Sequence, residues 1–299
     1  MDEPVHRPVL VDDVVELLSV REGGLYVDGT LGFGGHASAI VAAGGRIVGC
    51  DRDPDALAAS RQRLGDAAEL HHARFSALPA LLGARRADGI LLDLGVSSPQ
   101  LDRPERGFSF RGVGPLDMRM DPTSGQPAWE WLDRVDATAL ADVLWRYGDE
   151  RRSRRIARAL VERRAEEDVE PLRTTRQLAE LVASVVPADG RIHPATRTFQ
   201  AIRIFINDEL GELERALAGF PACLAPGGRL VVISFHSLED KAVKARFREL
   251  AGEGAARDLY GNPMTTPDYR LVERRPRKGQ DDDNPRARSA RVRAIERIA

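Results

Sequence analysis

The stretch Asp28-Gly-Thr-Leu-Gly-Phe-Gly-Gly-His36 decides the fold of this chain. It separates an apolar run at residues 24–28, typical of a strand, from an alanine-rich run at residues 37–43, typical of a helix. Glycine is needed where φ is positive or where a ligand must approach the backbone closely. A turn that opens a helix also directs free N–H groups at whatever binds there. The stretch therefore predicts a ligand-binding turn between a strand and a helix.

A second strand-like run, residues 45–51, ends in Asp51. Because neighbouring parallel strands end at one edge of a sheet, we expect Asp28 and Asp51 in the crevice where open α/β sheets bind ligands. An acid there typically holds ribose hydroxyls, which indicates a nucleoside-containing cofactor. Residues 32–37 fit the loose dinucleotide fingerprint G-x-G-x-x-A, but an ordinary tight turn can also match it. Asp28 would repel a diphosphate and suits a cationic amino-acid end, as in S-adenosylmethionine.

Strand-like and helix-like runs alternate over the first hundred residues, which predicts an α/β fold with a doubly wound, Rossmann-like parallel sheet. The strand runs are residues 25–28, 46–51, 69–75 and 89–96, and the helix runs between them are 35–43, 55–64 and 77–82. The alternation stops near residue 102, where a long irregular segment begins; such segments are usually functional. Helical patterns follow at 136–147, 149–164 and 174–185, and a single long helix is expected over 199–217.

A buried strand returns at residues 227–236, and the tail offers two more strand candidates at 269–273 and 290–296. The simplest account is a sheet domain interrupted by a helical insert. We therefore assign residues 1–102 and 198–299 to the sheet domain and residues 103–197 to a mainly helical, inserted domain.

Composition excludes several classes of protein. The 299 residues carry a net charge of −2, so no global field indicates a nucleic-acid partner. Cys50 and Cys223 provide neither a disulfide framework nor the ligand spacing of a metal site, and they suit a reducing cytosol. We see no charged-then-apolar leader and no apolar run of membrane-spanning length. The expectation is a cytoplasmic protein with no membrane partner and no metal.

Polar residues follow the predicted fourth strand. Asp93 lies toward the end of that strand beside the crevice, and Ser97-Ser-Pro-Gln100 follows the strand directly. Hydrogen-bond acceptors at such a place could hold the exocyclic NH₂ of cytosine or adenine and make its nitrogen more nucleophilic. An ordinary turn explains the Ser-Ser-Pro sequence equally well. Histidines at positions 36, 193 and 236 are further candidates, although His236 could simply be a polar residue that closes the fifth strand.

Two groups of basic residues could contact phosphates. In the insert, Arg151, Arg154, Arg155 and Arg158 share one helix face, for which a solvated surface is the commoner explanation. From residue 270 to 299, ten Lys or Arg stand against five Asp or Glu. A basic tail at the rim of a nucleotide-binding sheet suits phosphate contact. The tail arginines considered for this role are Arg286, Arg288, Arg291 and Arg293.

Several long strings, in order and spread over essentially the whole chain, resemble the MraW-type ribosomal RNA small-subunit methyltransferase H family. The longest is His193-Pro-Ala-Thr-Arg-Thr-Phe-Gln-Ala-Ile-Arg-Ile-Phe-Ile-Asn-Asp-Glu-Leu210. The others are residues 28–36, 51–54, 93–102, 106–110, 115–121, 234–240 and 284–293.

The resemblance implies a class I methyltransferase sheet and S-adenosylmethionine-dependent methylation of the N4 of a cytosine in the decoding region of 16S ribosomal RNA. Carried over by motif, the cofactor contacts would be Gly34, Gly35, His36, Asp51, Phe75, Asp93 and Gln100. Asp51 would hold the ribose and Phe75 would stack on adenine. Ser98 and Pro99 are our hypothesis for the catalytic position, and the insert would recognise the substrate. The partner would be 16S ribosomal RNA within the small ribosomal subunit, and a homodimer is left open.

Two other classes of function compete with this interpretation. A nicotinamide-dependent enzyme would bind a dinucleotide at the same turn. A non-catalytic RNA-binding scaffold would be indifferent to changes at Asp51 or Asp93.

Overall fold

The computed structural model describes residues 8–187, 193–254, 266–279 and 287–298. The chain divides into two compact units, one made of residues 1–95 and 210–299 and the other of residues 96–209. The second unit begins earlier and ends later in the chain than residues 103–197, the segment in which the sequence shows no strand pattern. Within the described ranges, no helix combines the length and apolar character that crossing a bilayer requires.

The first unit is built on one sheet with strand order β3-β2-β1-β4-β5-β8-β6, with β7 also paired to β8. Strands β1 to β5 are mutually parallel, and β8 runs antiparallel to β5, β6 and β7. The predicted doubly wound α/β sheet is thereby confirmed. The strands are β1 Leu25–Asp28, β2 Arg46–Asp51, β3 Ala68–His72, β4 Ala87–Asp93, β5 Leu224–Ser234, β6 Tyr269–Leu271, β7 Arg277–Lys278 and β8 Arg291–Arg297.

Helices cover both faces of this sheet and also form most of the second unit. In chain order they are α1 Val11–Leu18, α2 Gly35–Ala42, α3 Pro54–Leu64, α4 Leu78–Leu82, α5 Ser98–Asp102, α6 Ala128–Leu132, α7 Ala137–Gly148, α8 Ser153–Ala165, α9 Thr175–Val185, α10 Thr196–Asn207, α11 Glu209–Gly219 and α12 Ser237–Leu250.

The two faces of the sheet carry separate hydrophobic cores because side chains alternate along each strand. Val27 and Val48 belong to the core that includes α4, α11 and α12, whereas Tyr26 and Ile47 belong to the core that includes α1, α2 and α3. A parallel sheet buried on both faces reads as nearly continuous apolar runs, which is why its strands stood out in the sequence.

The second unit has a helical core of its own. Side chains of α7, α8, α9 and α10 pack there, among them Leu144, Ile156, Leu178 and Phe199. Helix α9 begins with a capping box in which the Thr174 hydroxyl accepts the N–H of Gln177 and the Gln177 side chain accepts the N–H of Thr174.

Several predicted boundaries were wrong. The strand expected over 227–236 runs from Leu224 to Ser234, and the strand expected over 269–273 ends at Leu271. The expected helix over 199–217 is two helices, because Asp208 takes a left-handed conformation at φ 50° after the buried Asn207. The predicted third strand stops at His72, since residues 75–77 form a turn of 3₁₀-helix. The fourth strand stops at Asp93 instead of Val96, and Gly95 has φ 95°.

Candidate active site

The turn between β1 and α2 is braced from three sides. Five hydrogen bonds connect it to β2, β4 and α3: Gly29 N to Leu91 O (3.0 Å), Asp93 N to Thr30 Oγ1 (2.6 Å), Leu31 N to Cys50 O (3.1 Å), Gly32 N to Asp51 Oδ2 (2.8 Å) and Ser60 Oγ to Gly32 O (2.8 Å). Inside the turn, the N–H of Thr30 donates to Asp28 and that of Gly34 donates to Leu31. Most of the turn's N–H groups therefore point inward and do not form a phosphate cradle.

Glycine is required at two positions of this turn. Gly34 has φ 75°, and a Cβ there would lie 2.9 Å from Ser60 Oγ. A Cβ on Gly29 would lie 2.7 Å from a methyl of Leu92 in β4. Both contacts are too short for a real Cβ, so a larger residue would displace the turn or these neighbouring side chains, and at Gly34 the positive φ would add backbone strain. The result is a rigid turn that places Gly35 and His36 at the start of α2.

Three carboxylates meet where β1, β2 and β4 end. They belong to Asp28, Asp51 and Asp93, the last residue of each strand. Burial raises the pKa of all three carboxyls, to about 7 for Asp28 and Asp93. The charges of Asp93 and Asp51 raise the pKa of Asp28 further, whereas His36 lowers it. A cluster of mutually repelling acids favours a cationic ligand.

Asp93 has an oxygen without a partner. Its Oδ1 is buried and accepts no hydrogen bond within the described residues, which leaves an acceptor that calls for a donor from a ligand. The charge of Glu239 in α12 adds to burial in raising the pKa of Asp93.

The tautomer of His36 follows from its contacts. Its Nε2 lies 2.9 Å from the carbonyl of Val9, and a carbonyl only accepts, so Nε2 carries the proton. Burial lowers the pKa of His36 and favours the neutral ring. Nδ1 is then an acceptor, 3.7 Å from Oδ2 of Asp93. Two acceptors side by side are satisfied by a donor with several N–H bonds, such as an ammonium group.

Asp51 and Phe75 lie on the other side of the crevice. Besides the N–H of Gly32, Asp51 accepts that of Asp53 at 2.8 Å, and Asp53 in turn caps α3. Each carboxylate oxygen has further lone pairs for a ribose hydroxyl. Phe75 is only 8% exposed and packs in the core with Val27. The sequence suggested Asp51 as a ligand contact but gave no sign that it also anchors the turn.

These residues fit S-adenosylmethionine better than a dinucleotide. The unpartnered Asp93 Oδ1 and the acceptor Nδ1 of His36 suit the ammonium group of the methionine end. The surrounding acids suit a cationic sulfur. A diphosphate would meet the three strand-end carboxyls and inward-facing N–H groups, so the nicotinamide alternative is disfavoured.

The remaining predicted site residues belong to the second unit. Ser98 and Pro99 form the first turn of α5, which begins with a capping box. Gln100 is buried, and its Oε1 accepts the N–H of Ser97 at 3.0 Å. Part of its hydrogen-bonding capacity therefore serves the helix end.

Two features of the sequence have structural roles in the first unit. His236 is the N-cap of α12, with Nδ1 3.5 Å from the N–H of Glu239. Arg291 and Arg293 of the tail pair with the buried Asp240 of α12 at 2.9 and 2.8 Å, which ties β8 to that helix. Arg288 is exposed. Arg286 lies outside the described residues.

The family profile and the similar proteins that match this chain point to the same family. Residues 3–298 match the profile of the MraW methylase family. A ribosomal RNA small subunit methyltransferase H from Thioalkalivibrio sulfidiphilus is 53% identical over 99% of this chain and 98% of its own length. The protein of the same name from Xanthomonas oryzae is 51% identical over 100% of this chain and 91% of its own.

Similarity to solved structures is weaker. An rRNA methylase from Streptococcus thermophilus has a TM-score of 0.39 at 12% identity, covering 99% of this chain and 100% of its own. The N-methyltransferase NodS from Bradyrhizobium japonicum, solved with S-adenosyl-L-homocysteine, has a TM-score of 0.43 at 9% identity, covering 96% and 84%. Scores this low add no argument about function.

Proposed function

The chain belongs to the MraW methylase family, and we propose that it transfers a methyl group from S-adenosylmethionine to the exocyclic N4 of a cytosine in the decoding region of 16S ribosomal RNA. S-adenosylmethionine is the methyl donor, and the relatives at about half identity support small-subunit ribosomal RNA as the substrate. We infer a cytoplasmic enzyme because its substrate is ribosomal RNA.

One observation carries the proposal: the cluster of acids at the ends of β1, β2 and β4, with the buried Oδ1 of Asp93 left unpartnered within the described residues. This arrangement suits a cation with an ammonium group. We propose that Gly34, Gly35 and His36 hold the methionine end together with Asp93. Asp51 would bind the ribose, Phe75 the adenine, and Gln100 would complete the cofactor contacts.

When bound, the cofactor supplies an electrophilic methyl group on a cationic sulfur. The chain has to present the amine in line with the sulfur–methyl bond, and no covalent nucleophile is needed. We propose that the segment after Asp93, including Ser98 and Pro99, accepts hydrogen bonds from the N–H groups of the amine. These bonds would direct the lone pair of its nitrogen. The target nitrogen gains the methyl carbon as the carbon–sulfur bond breaks, and its excess proton leaves to water.

A stacked or paired cytosine cannot place N4 in line with the methyl group, so the base must be flipped or single-stranded. We propose that the inserted unit, about residues 103–197, holds the surrounding RNA. Arg154, Arg155 and Arg158 of α8 are exposed, opposite the buried Ile156 and Leu160, and Arg151 is exposed in the turn before the helix, which supports a phosphate-binding surface.

The test is methylation of small ribosomal subunits, and separately of naked 16S RNA, from cells that lack this modification. Nucleoside mass spectrometry should find N4-methylcytidine, and mapping of RNA fragments should place it in the decoding region. Asp93→Asn should lower the rate, whereas Asp66→Asn, at an exposed acid of the same unit, should not.

Other outcomes would decide against the proposal. A methyl group on carbon 5 of cytosine or on another base would refute N4 chemistry. Thermal stabilisation by a nicotinamide dinucleotide, and not by S-adenosylmethionine, would favour the dehydrogenase alternative. If the Asp93→Asn variant replaced the parent fully in cells, the non-catalytic RNA-binding scaffold would be favoured. Sedimentation of the same preparation would settle whether the chain forms a homodimer.

A further inference from the structure

We propose that Glu212 is a positioning residue that sets the adenine-binding side of the cofactor site. The inference rests on the proposed function because it takes Phe75 as the adenine contact. Glu212 lies in α11 and is only 2% exposed. Its carboxylate accepts the N–H of Ser76 at 3.4 Å and lies 3.4 Å from Arg74 Nη1. The residues on both sides of Phe75 are thus anchored to one buried carboxylate.

The charge of Arg52 links the same carboxylate to the ribose side of the crevice. Burial would raise the pKa of Glu212, but hydrogen bonds from Arg215 and Ser76 and the charges of Arg52 and Arg215 outweigh burial and lower it. Arg52 directly follows Asp51, the proposed ribose ligand. His72 Nε2 donates to the carbonyl of Arg52 at 2.9 Å, which joins the ends of β2 and β3. Glu212 therefore stays ionised, and its charge can act on the segments that follow β2 and β3, which carry the proposed ribose and adenine contacts.

Core packing alone does not explain a carboxylate here. Leu213 and Leu217 of α11, and Phe220 directly after it, share a hydrophobic core with Phe75. A larger apolar residue at position 212 would extend that core at lower desolvation cost. It would not accept the N–H of Ser76 or hold Arg74. The specific gain from Glu212 is a fixed orientation of residues 74–76, and hence of the Phe75 ring.

The test is calorimetric binding of S-adenosylhomocysteine to the full chain, with no RNA present, in a double-mutant cycle. Glu212→Gln and Phe75→Leu should each raise Kd about tenfold. If Glu212 acts through Phe75, the double variant should bind no more weakly than the weaker single variant. Glu214→Gln, at an exposed position of the same helix, is the matched control and should bind as the parent does.

Two further measurements separate orientation from general loss of structure. Glu212→Gln should raise KM for the cofactor while kcat at saturating cofactor stays within about twofold. Glu212→Gln should also reduce the ratio of Kd for the inosine analogue to Kd for S-adenosylhomocysteine, because the adenine ring is held less well. Arg74→Met, at a half-exposed position, gives a second variant if Glu212→Gln does not fold, and should raise Kd about threefold.

Parent-like binding by Glu212→Gln would overturn the proposal. The proposal would also be overturned if the double variant raised Kd by the product of the two single increases, or if Glu212→Gln lowered kcat at saturating cofactor. If Glu212→Gln does not fold, parent-like binding by Arg74→Met would overturn it. A failure to find N4-methylcytidine would instead count against the proposed function, since the binding measurements involve no RNA.

Discussion

Cofactor binding should release a proton near neutral pH. Burial raises the pKa of Asp28 and Asp93 to about 7, so both carboxyls retain much of their proton at pH 6. S-adenosylmethionine brings positive charge against them and favours the ionised form. Because the two acids interact, they titrate as a pair, and the released proton belongs to the pair.

The expected magnitude follows from the size of the pKa shift. If one proton must leave before the cation binds, Kd should rise about five- to tenfold for each pH unit below 7. The useful window is pH 5.5–7, where the α-ammonium group of the ligand is itself still protonated. Calorimetry at pH 6.5 in buffers of different ionisation enthalpy would count the released protons directly, and we expect about one.

Two variants sharpen this experiment. Asp93→Asn cannot ionise, so it should bind more weakly at pH 7 and show a flatter dependence of Kd on pH. Asp66→Asn should follow the parent at every pH. If Kd of the parent is constant between pH 5.5 and 7 and no proton is released, the strand-end acids do not face the charge of the cofactor and our account of the site is wrong.

Three further predictions concern the same unit. Asp51→Ala should weaken S-adenosylmethionine binding at least about tenfold by calorimetry; it should also lower Tm, because the N–H groups of Gly32 and Asp53 lose their acceptor, and unchanged affinity would remove Asp51 from the site. The folded-state pKa of Asp93, about 7, exceeds the ordinary 3.8, so the folded state binds more protons between these values and stability falls as pH rises through them. Asp93→Asn should therefore raise Tm of the ligand-free protein more at pH 8 than at pH 5, and an equal effect at both would contradict the assigned shift. Arg293→Met should cost about 1–3 kcal/mol in urea unfolding because Asp240 loses a charged donor, whereas Arg288→Met should leave stability unchanged and reduce the salt dependence of RNA binding.

The sequence was a good guide to the sheet because apolar strands of a parallel sheet are buried on both faces. The same logic located Asp28, Asp51 and Asp93 at strand ends. It failed where a side chain makes contacts far away in the sequence. Nothing near Thr30 indicates that its hydroxyl receives the N–H of Asp93, and nothing near position 208 predicts the helix break that follows the buried Asn207.

Charge patterns were less informative than strand patterns. The basic tail suggested phosphate contact, yet Arg291 and Arg293 are engaged by Asp240 in a helix fifty residues earlier in the chain. An arginine that binds RNA and one that holds a strand to a helix look alike in sequence, because the partner is chosen by tertiary structure. Asp53 could have been recognised in advance, since an Asp before a Pro is a common start of a helix.

The pairing of β4 with β5 has a consequence for biosynthesis. Asp93 lies opposite Ile233, 140 positions later, and the whole second unit is encoded between them. Ribosomes add roughly 5–20 residues per second, so β4 must wait on the order of ten seconds for its neighbour. During that delay the β4 edge of the apolar sheet stays unpaired. Its pairing with β5 joins residues far apart in the sequence, and such contacts form slowly. The emerging chain should therefore depend on chaperone protection during that interval, and the binding crevice can be completed only after the insert has left the ribosome.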